Sequence, residues 1–243
     1  MARKIVITSG KGGVGKTTVC CNLGVQLARR GYRVIICDLD FGLNNVDVAL
    51  GVENRASYDV SDAVEGRCRP RQVLVQHPRY PTLFVVSSNR VPERYVSPQA
   101  IRLILDSLSP QFDFILIDSP AGIDDGFHRA VSCAEEGILV TTPHISAMRD
   151  ADRVVGMLKS YRLSSTGLAV NLVRKDFARR GEILLPAEIA ATLRVPLLAV
   201  IPEEDKVFLE NVVERSHSFR AFAQCIAEGT TDGKPFSSRR IKF

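Results

Sequence analysis

The sequence predicts an α/β protein built on a doubly wound, mostly parallel sheet flanked by helices. Three observations predict it. Short, continuous apolar runs recur along the chain, stretches with helical spacing of apolar residues lie between them, and a glycine-rich turn joins the first run to the first helix. Runs that are apolar at every position suit strands buried on both faces, and their alternation with helices implies right-handed crossovers.

The first strand is Ile5-Val6-Ile7, and the helix after it spans 17–30, with Leu23, Leu27 and Ala28 on one face and Gly31 as its stop. Further strands are expected at Val34–Cys37, Leu83–Val86, Phe114–Ile117, Ile138–Val140, Leu168–Val173 and Leu197–Ile201, with helices at 98–108, 125–134, 146–161 and 186–194. Ligands of such sheets bind outside the carboxyl ends of the strands. No linker interrupts residues 1–227, which read as one domain. The Gly/Ser/Thr-rich stretch from Glu228 opens a loose basic tail, 228–243.

Composition narrows the class. The chain has 243 residues, 45% hydrophobic and 24% charged, enough for a sizeable core. No apolar run approaches the ~18 residues of a membrane span. Ala2-Arg3-Lys4 leads into one short strand and then glycines, which is not the pattern of a signal peptide. The six cysteines (Cys20, Cys21, Cys37, Cys68, Cys133, Cys225) form no CxxC pair and no metal spacing, and most read as buried thiols of a cytosolic protein. The four histidines are scattered, which disfavours zinc. The net charge of +5 is concentrated late: from Arg215 onward six Lys/Arg face two acids. A basic tail is either solvated or attracted to an anionic surface.

Residues 10 to 17 read Gly10-Lys11-Gly12-Gly13-Val14-Gly15-Lys16-Thr17 and fit the spacing G-x-x-x-x-G-K-[ST]. The flanks, strand before and helix after, are those the chemistry requires. Glycines let successive backbone N–H groups turn inward toward a triphosphate that also rests on the positive end of the helix dipole. Lys16 supplies charge to the β/γ-phosphates, and the Thr17 hydroxyl is placed for Mg²⁺. A chance match in a chain of this composition is of order one in a hundred. Lys11 is a second cation in the same loop; from the loop alone it reads equally as a solvated lysine or as a further phosphate contact.

Carboxylates cluster at two strand ends. The second strand runs into Asp38-Leu39-Asp40, and Phe114–Ile117 runs into Asp118-Ser119-Pro120-Ala121-Gly122. Mg²⁺ keeps several waters and takes one or two protein oxygens, so Asp118 can act directly or through water. An attacking water needs a side-chain acceptor, for which Asp40 is the candidate.

Taken together, Gly10–Thr18, Asp38–Asp47 (Asp-Leu-Asp-Phe-Gly-Leu-Asn-Asn-Val-Asp), Asp118–Ile123 and Ser146–Gly156 (Ser-Ala-Met-Arg-Asp-Ala-Asp-Arg-Val-Val-Gly) resemble the MinD/ParA family of ATPases, in its septum-site-determining branch. The similarity runs from residue 3 to about 205. It implies that Gly10 and Gly12 through Thr18 form the phosphate loop, and that Lys11 crosses a dimer interface to the partner's nucleotide. It further implies that Thr17 and Asp118 serve Mg²⁺ with support from Asp38, and that Asp40 positions the attacking water. Residues 41–47 become a switch sensing the γ-phosphate, and Asn171 with the backbone after Pro202 reads adenine. The family's members are ATP-dependent homodimers on the inner face of the cell membrane that recruit a division inhibitor and so regulate septum placement.

Two departures stand out. Asn44 occupies a switch position where the family often has Arg, and the end of the chain, Pro235 to Phe243, has only Phe236, Ile241 and Phe243 as large apolar residues. Either that tail is a degenerate anchor, or binding relies on charge plus those three residues, doubled by dimerisation. On the 146–161 helix, Arg149, Asp150, Asp152 and Arg153 form the polar face, while Ala151, Val154, Val155, Leu158 and Tyr161 suit the buried side. Intrahelical pairing explains them alone, while the resemblance makes Asp150 and Asp152 candidates for docking activators and inhibitors. Three other functions compete. A DNA-partitioning relative would use the basic end on nonspecific DNA, but the Arg149–Arg153 stretch argues against nucleic acid as the partner. A flagellar-number regulator usually carries an extra amino-terminal segment. An iron–sulfur ATPase needs a cysteine soon after Asp118, and Cys133 is too distant.

Overall fold

The computed structural model describes residues 1–88, 96–205 and 210–231. Eight strands form one sheet: β1 (Arg3–Thr8), β2 (Val34–Asp38), β3 (Val75–Gln76), β4 (Leu83–Val86), β5 (Phe114–Asp118), β6 (Glu136–Thr141), β7 (Ser165–Val173) and β8 (Leu197–Pro202). Their spatial order is β3-β4-β2-β5-β1-β6-β7-β8, and every pair is parallel except the antiparallel edge β3–β4. The helices are α1 (Lys16–Arg29), α2 (Asn45–Leu50), α3 (Val60–Val64), α4 (Pro98–Leu108), α5 (Asp125–Ser132), α6 (Ile145–Ser160), α7 (Lys175–Arg180), α8 (Pro186–Leu193) and α9 (His217–Thr231).

Period-two alternation divides the core into two layers. Val34 and Ile36 of β2, with Phe114 and Leu116 of β5, face the layer of α1, α2 and α9. Ile35, Cys37, Ile115 and Ile117 face the layer of α3, α4, α5, α6 and α8. This is the doubly wound arrangement expected from the apolar runs. Cys20, Cys21, Cys37 and Cys133 are buried, and Cys68 and Cys225 are half-buried.

Several elements differ from the sequence reading. The two-residue β3 is too short to show a period, and α2, α3 and α7 have only five or six residues each. The long α9 was readable in principle, since Phe219, Phe222, Ala223, Ile226 and Ala227 recur at helical spacing and are all buried. It covers α1 and β8, and it is tied to β1 by Arg3, which donates to the Ile226 carbonyl at 2.6 Å while gripping Glu136 at 2.6 and 2.7 Å. The helix continues to Thr231, past the expected boundary at 227. Residues 232–243, including the basic tail end, lie outside the described residues. No helix among the described residues is long and apolar enough to cross a membrane.

Candidate nucleotide and metal site

The phosphate loop connects β1 to α1 at the centre of the sheet. Gly13 (φ +78) and Gly15 (φ +83) adopt the left-handed conformation that only glycine enters at little cost. Gly15 has a second constraint, because a Cβ there would lie 2.4 Å from Nδ2 of Asn171. That amide donates to the Val14 carbonyl at 2.8 Å, so Asn171 supports the loop from β7. The residue after it, Leu172, has φ +56 at an irregularity in the β7–β8 pairing. For a branched side chain this stores strain of about 1–3 kcal/mol. Pro202 ends β8 beside Val173, so Asn171 and Pro202 stand at neighbouring strand ends next to the loop.

Lys16 begins α1 and is almost fully buried. Beside it, the Thr17 hydroxyl donates to Asp118 Oδ2 at 2.6 Å. The other oxygen, Asp118 Oδ1, is buried without a hydrogen-bond partner among the described residues. Parallel register places Asp38 directly alongside Asp118. Asp38 accepts backbone N–H bonds from Asp40 at 2.8 Å and Val46 at 3.2 Å. Thus the carboxylates predicted to serve the metal do converge, and Asp40 follows two residues later, half-buried.

Electrostatics record the crowding. Burial first, then the charge of Asp118, pushes Asp38 up from 3.8 to about 8. Burial pushes Asp118 up to about 6, against the opposing pull of Lys16 and the Thr17 hydrogen bond. Asp40 is also raised by burial, with Lys16 opposing. Two buried carboxylates, one with an unsatisfied oxygen beside a threonine hydroxyl, are a donor set short of positive charge. It fits a hard divalent cation.

This has a measurable consequence without ligand. Between its ordinary pKa and about 8, folded Asp38 holds a proton that the unfolded chain has released. Stability therefore falls as pH rises through that window, and Asp118 adds the same sign up to about 6. The nucleotide-free, metal-free protein is expected to lose melting temperature from about pH 5 to pH 8, and Asp38→Asn should flatten the slope. A melting temperature that rises across this window would contradict the assignment.

Lys11 is exposed, and its ammonium lies 3.5 Å from the Ser146 hydroxyl on the first turn of α6. It leans out of the loop toward α6. That helix also abuts the loop's start, where a Cβ on Gly10 would meet the Asp150 carbonyl oxygen at 2.4 Å. Asp150 is therefore partly covered, with Arg153 4.0 Å away, while Asp152 is exposed with Arg149 and Arg153. Ala151, Val154, Val155 and Leu158 form the buried face, as expected, while Tyr161, also expected there, caps the helix and is only half-buried.

The switch segment 41–47 is held on both sides. Asp38 holds it from β2. From the end of β4, Ser87 donates to the Asp47 carboxylate at 2.8 Å and Ser88 donates to Asn44 Oδ1 at 2.5 Å. Neither serine was singled out in the sequence, and a Ser-Ser pair after a strand carries no motif that would have revealed it.

Comparison with known proteins agrees with this geometry. A family model described as ParA, NUBPL iron-transfer P-loop NTPase, matches residues 1–208. The septum site-determining protein MinD of Bacillus subtilis is 43% identical over 210 residues, covering 85% of this chain and 78% of that protein. The chain belongs to the MinD/ParA family of P-loop NTPases. Within that family it is a MinD-like, septum-site-determining P-loop ATPase. Its match spans 66% to 78% of the lengths of the MinD sequences it resembles. Among solved structures, the MinC:MinD cell division protein complex of Aquifex aeolicus superposes with a TM-score of 0.86 at 34% identity, covering 98% of this chain and 99% of that one. MinD of Pyrococcus horikoshii, complexed with Mg-ADP, gives 0.84 at 30% identity, covering 95% and 98%. The iron-transfer branch of the family is not favoured by the cysteines of this MinD-like chain. Cys133 is buried, its Sγ 3.4 Å from the Pro98 carbonyl and 3.3 Å from that of Arg129.

Proposed function

We propose that this chain is an ATP-driven switch: it binds Mg-ATP, dimerises, presents a surface to a division inhibitor at the membrane, and hydrolyses ATP to separate. The observation that carries this reading is the Thr17–Asp118 pair with its free, buried carboxylate oxygen. It sits beside Lys16 at the mouth of a phosphate loop.

Thr17 and Asp118, supported by Asp38, would hold Mg²⁺, which when bound neutralises charge on the β- and γ-phosphates. Backbone N–H groups around Gly13–Lys16 cradle the phosphates, and Lys16 adds a charge in a poorly hydrated setting where it counts for more. Asp40 accepts a hydrogen bond from the attacking water and aims its oxygen at the γ-phosphorus, opposite the breaking bond to the β-phosphate oxygen. Asn171 and the backbone after Pro202 border the space for the base.

Dimerisation is supported at the same sheet edge. Leu43, Ile123 and Ile145 follow the carboxyl ends of β2, β5 and β6, Leu172 is the penultimate residue of β7, and all four are exposed. Large apolar side chains gathered at one end suit a partner surface, and Lys11 points out of its own loop there. A second copy would place Lys11 at the opposed nucleotide. The exposed Arg149, Asp152 and Arg153 of α6 offer the docking face for an inhibitor such as the MinC seen with the Aquifex relative, and for an activator.

The location that follows is the cytoplasmic side of the cell membrane, held peripherally by the tail. Arg239, Arg240 and Lys242 each contribute about 1 kcal/mol near an anionic leaflet, and a dimer presents two tails at once. The protein should co-sediment with anionic liposomes in ATP, little in ADP, and lose binding at high salt. If deletion of 235–243 leaves that binding intact, the tail is not the anchor. Absence of phosphate release from ATP, with liposomes and partner present, would sink the enzymatic reading.

A further inference from the structure

We propose that Ser88, through Asn44, is a positioning residue for hydrolysis. The proposal rests on the reading of Asp40 as the residue that orients the attacking water. The turn carrying Asp40 closes on itself, with Leu43 N–H donating to the Asp40 carbonyl at 3.3 Å. Its two ends meet at a single hydroxyl: Ser88 Oγ lies 2.5 Å from Asn44 Oδ1 and 3.4 Å from the Asp40 carbonyl oxygen. Both Ser88 and Asn44 are buried, so water does not readily replace the bond.

Asn44 suits this role in two ways. Its backbone is left-handed (φ +48), a conformation asparagine tolerates better than most side chains. It also stands at the N-cap of α2 without making a side-chain cap there. Its amide oxygen is turned to Ser88 instead, so the residue ties the switch to the end of β4 and not to its own helix. The neighbouring Ser87–Asp47 bond anchors α2 separately. The division of labour follows: Asp47 holds the helix, while Asn44 and Ser88 hold the turn that aims Asp40. An arginine at position 44 could not accept this bond, so the asparagine and the Ser88 hydroxyl function as a pair.

Ser88→Ala tests it with two readouts. In nucleotide-free protein, amide exchange at residues 41–44 should accelerate roughly three- to tenfold, as loss of one net hydrogen bond implies. With Mg-ATP, kcat should fall by about the same factor while KM for ATP stays unchanged, because the phosphate loop is untouched. Asn44→Gly, which keeps the left-handed backbone, should reproduce both effects, and the double variant should be no worse than either single. Unchanged exchange and kcat in Ser88→Ala overturns the proposal, as does full additivity in the double variant or an effect confined to KM. Failure of the underlying reading looks different: Asp40→Ala would then hydrolyse ATP at the wild-type rate. In that event the exchange arm, which needs no nucleotide, still decides whether the pair orders the turn.

Discussion

Lys16→Ala is expected to weaken ATP binding by at least about a hundredfold and to abolish measurable hydrolysis, the first figure corresponding to a charge-assisted contact of about 3 kcal/mol. Two effects add. The direct one is loss of an ammonium at the first turn of α1, buried well enough that phosphate gains more from it than from a solvated lysine. The indirect one acts on the carboxylates. Lys16 is the cation that pulls both Asp118 and Asp40 down against burial. Without it both carboxyls hold their protons to higher pH, so the Thr17–Asp118 pair becomes a poorer cation site at neutral pH. Calorimetric titration at several Mg²⁺ concentrations separates the two, since the indirect effect appears as a steeper demand for Mg²⁺. Near-wild-type affinity in a folded Lys16→Ala protein would remove the loop from the nucleotide site.

How much of this could be read from residues alone depended on range. The phosphate loop was legible because its requirements are local: glycines at fixed offsets, a strand before and a helix after. Asp38, Asp40 and Asp118 were legible because parallel strands deliver whatever follows them to the same edge, and register then set Asp38 against Asp118. The α6 faces followed from spacing. What escaped was chemistry made by long-range contact. The support that Asn171 gives the loop is one case, since its side-chain amide is bonded to Val14, over 150 residues earlier in the chain. Ser87 and Ser88 reach residues 40 and 44 positions away. The α9 helix was missed for a different reason: its pattern runs directly into a Gly/Ser/Thr-rich basic stretch, and that composition drew the boundary too early.

Asp40→Ala and Lys11→Ala are expected to fail in opposite directions, which makes them the sharpest test of a switch. Asp40 is assigned to the water, and its side chain makes no hydrogen bond to the loop or the metal pair among the described residues, though its charge is felt by Asp118. Its removal should lower kcat by about 10² or more, in the range of a lost positioning base. ATP binding should survive and the ATP dimer should accumulate, seen as light scattering that persists after ATP addition. Lys11 is exposed, its side chain leans toward Ser146 of α6, and only its backbone carbonyl, which accepts from the Ser9 hydroxyl at 3.0 Å, takes part in its own loop's hydrogen bonding among the described residues. Its removal should leave nucleotide binding to the monomer largely in place and abolish ATP-dependent association. The wild-type protein should associate on adding ATP and dissociate as ATP is consumed. A Lys11→Ala protein that dimerises normally would return Lys11 to a solvated surface cation. A dimer of Asp40→Ala that decays as fast as wild type would show that hydrolysis is not what separates the subunits. Both results cannot be absorbed by one adjustment, because one variant reports formation of the complex and the other its breakdown.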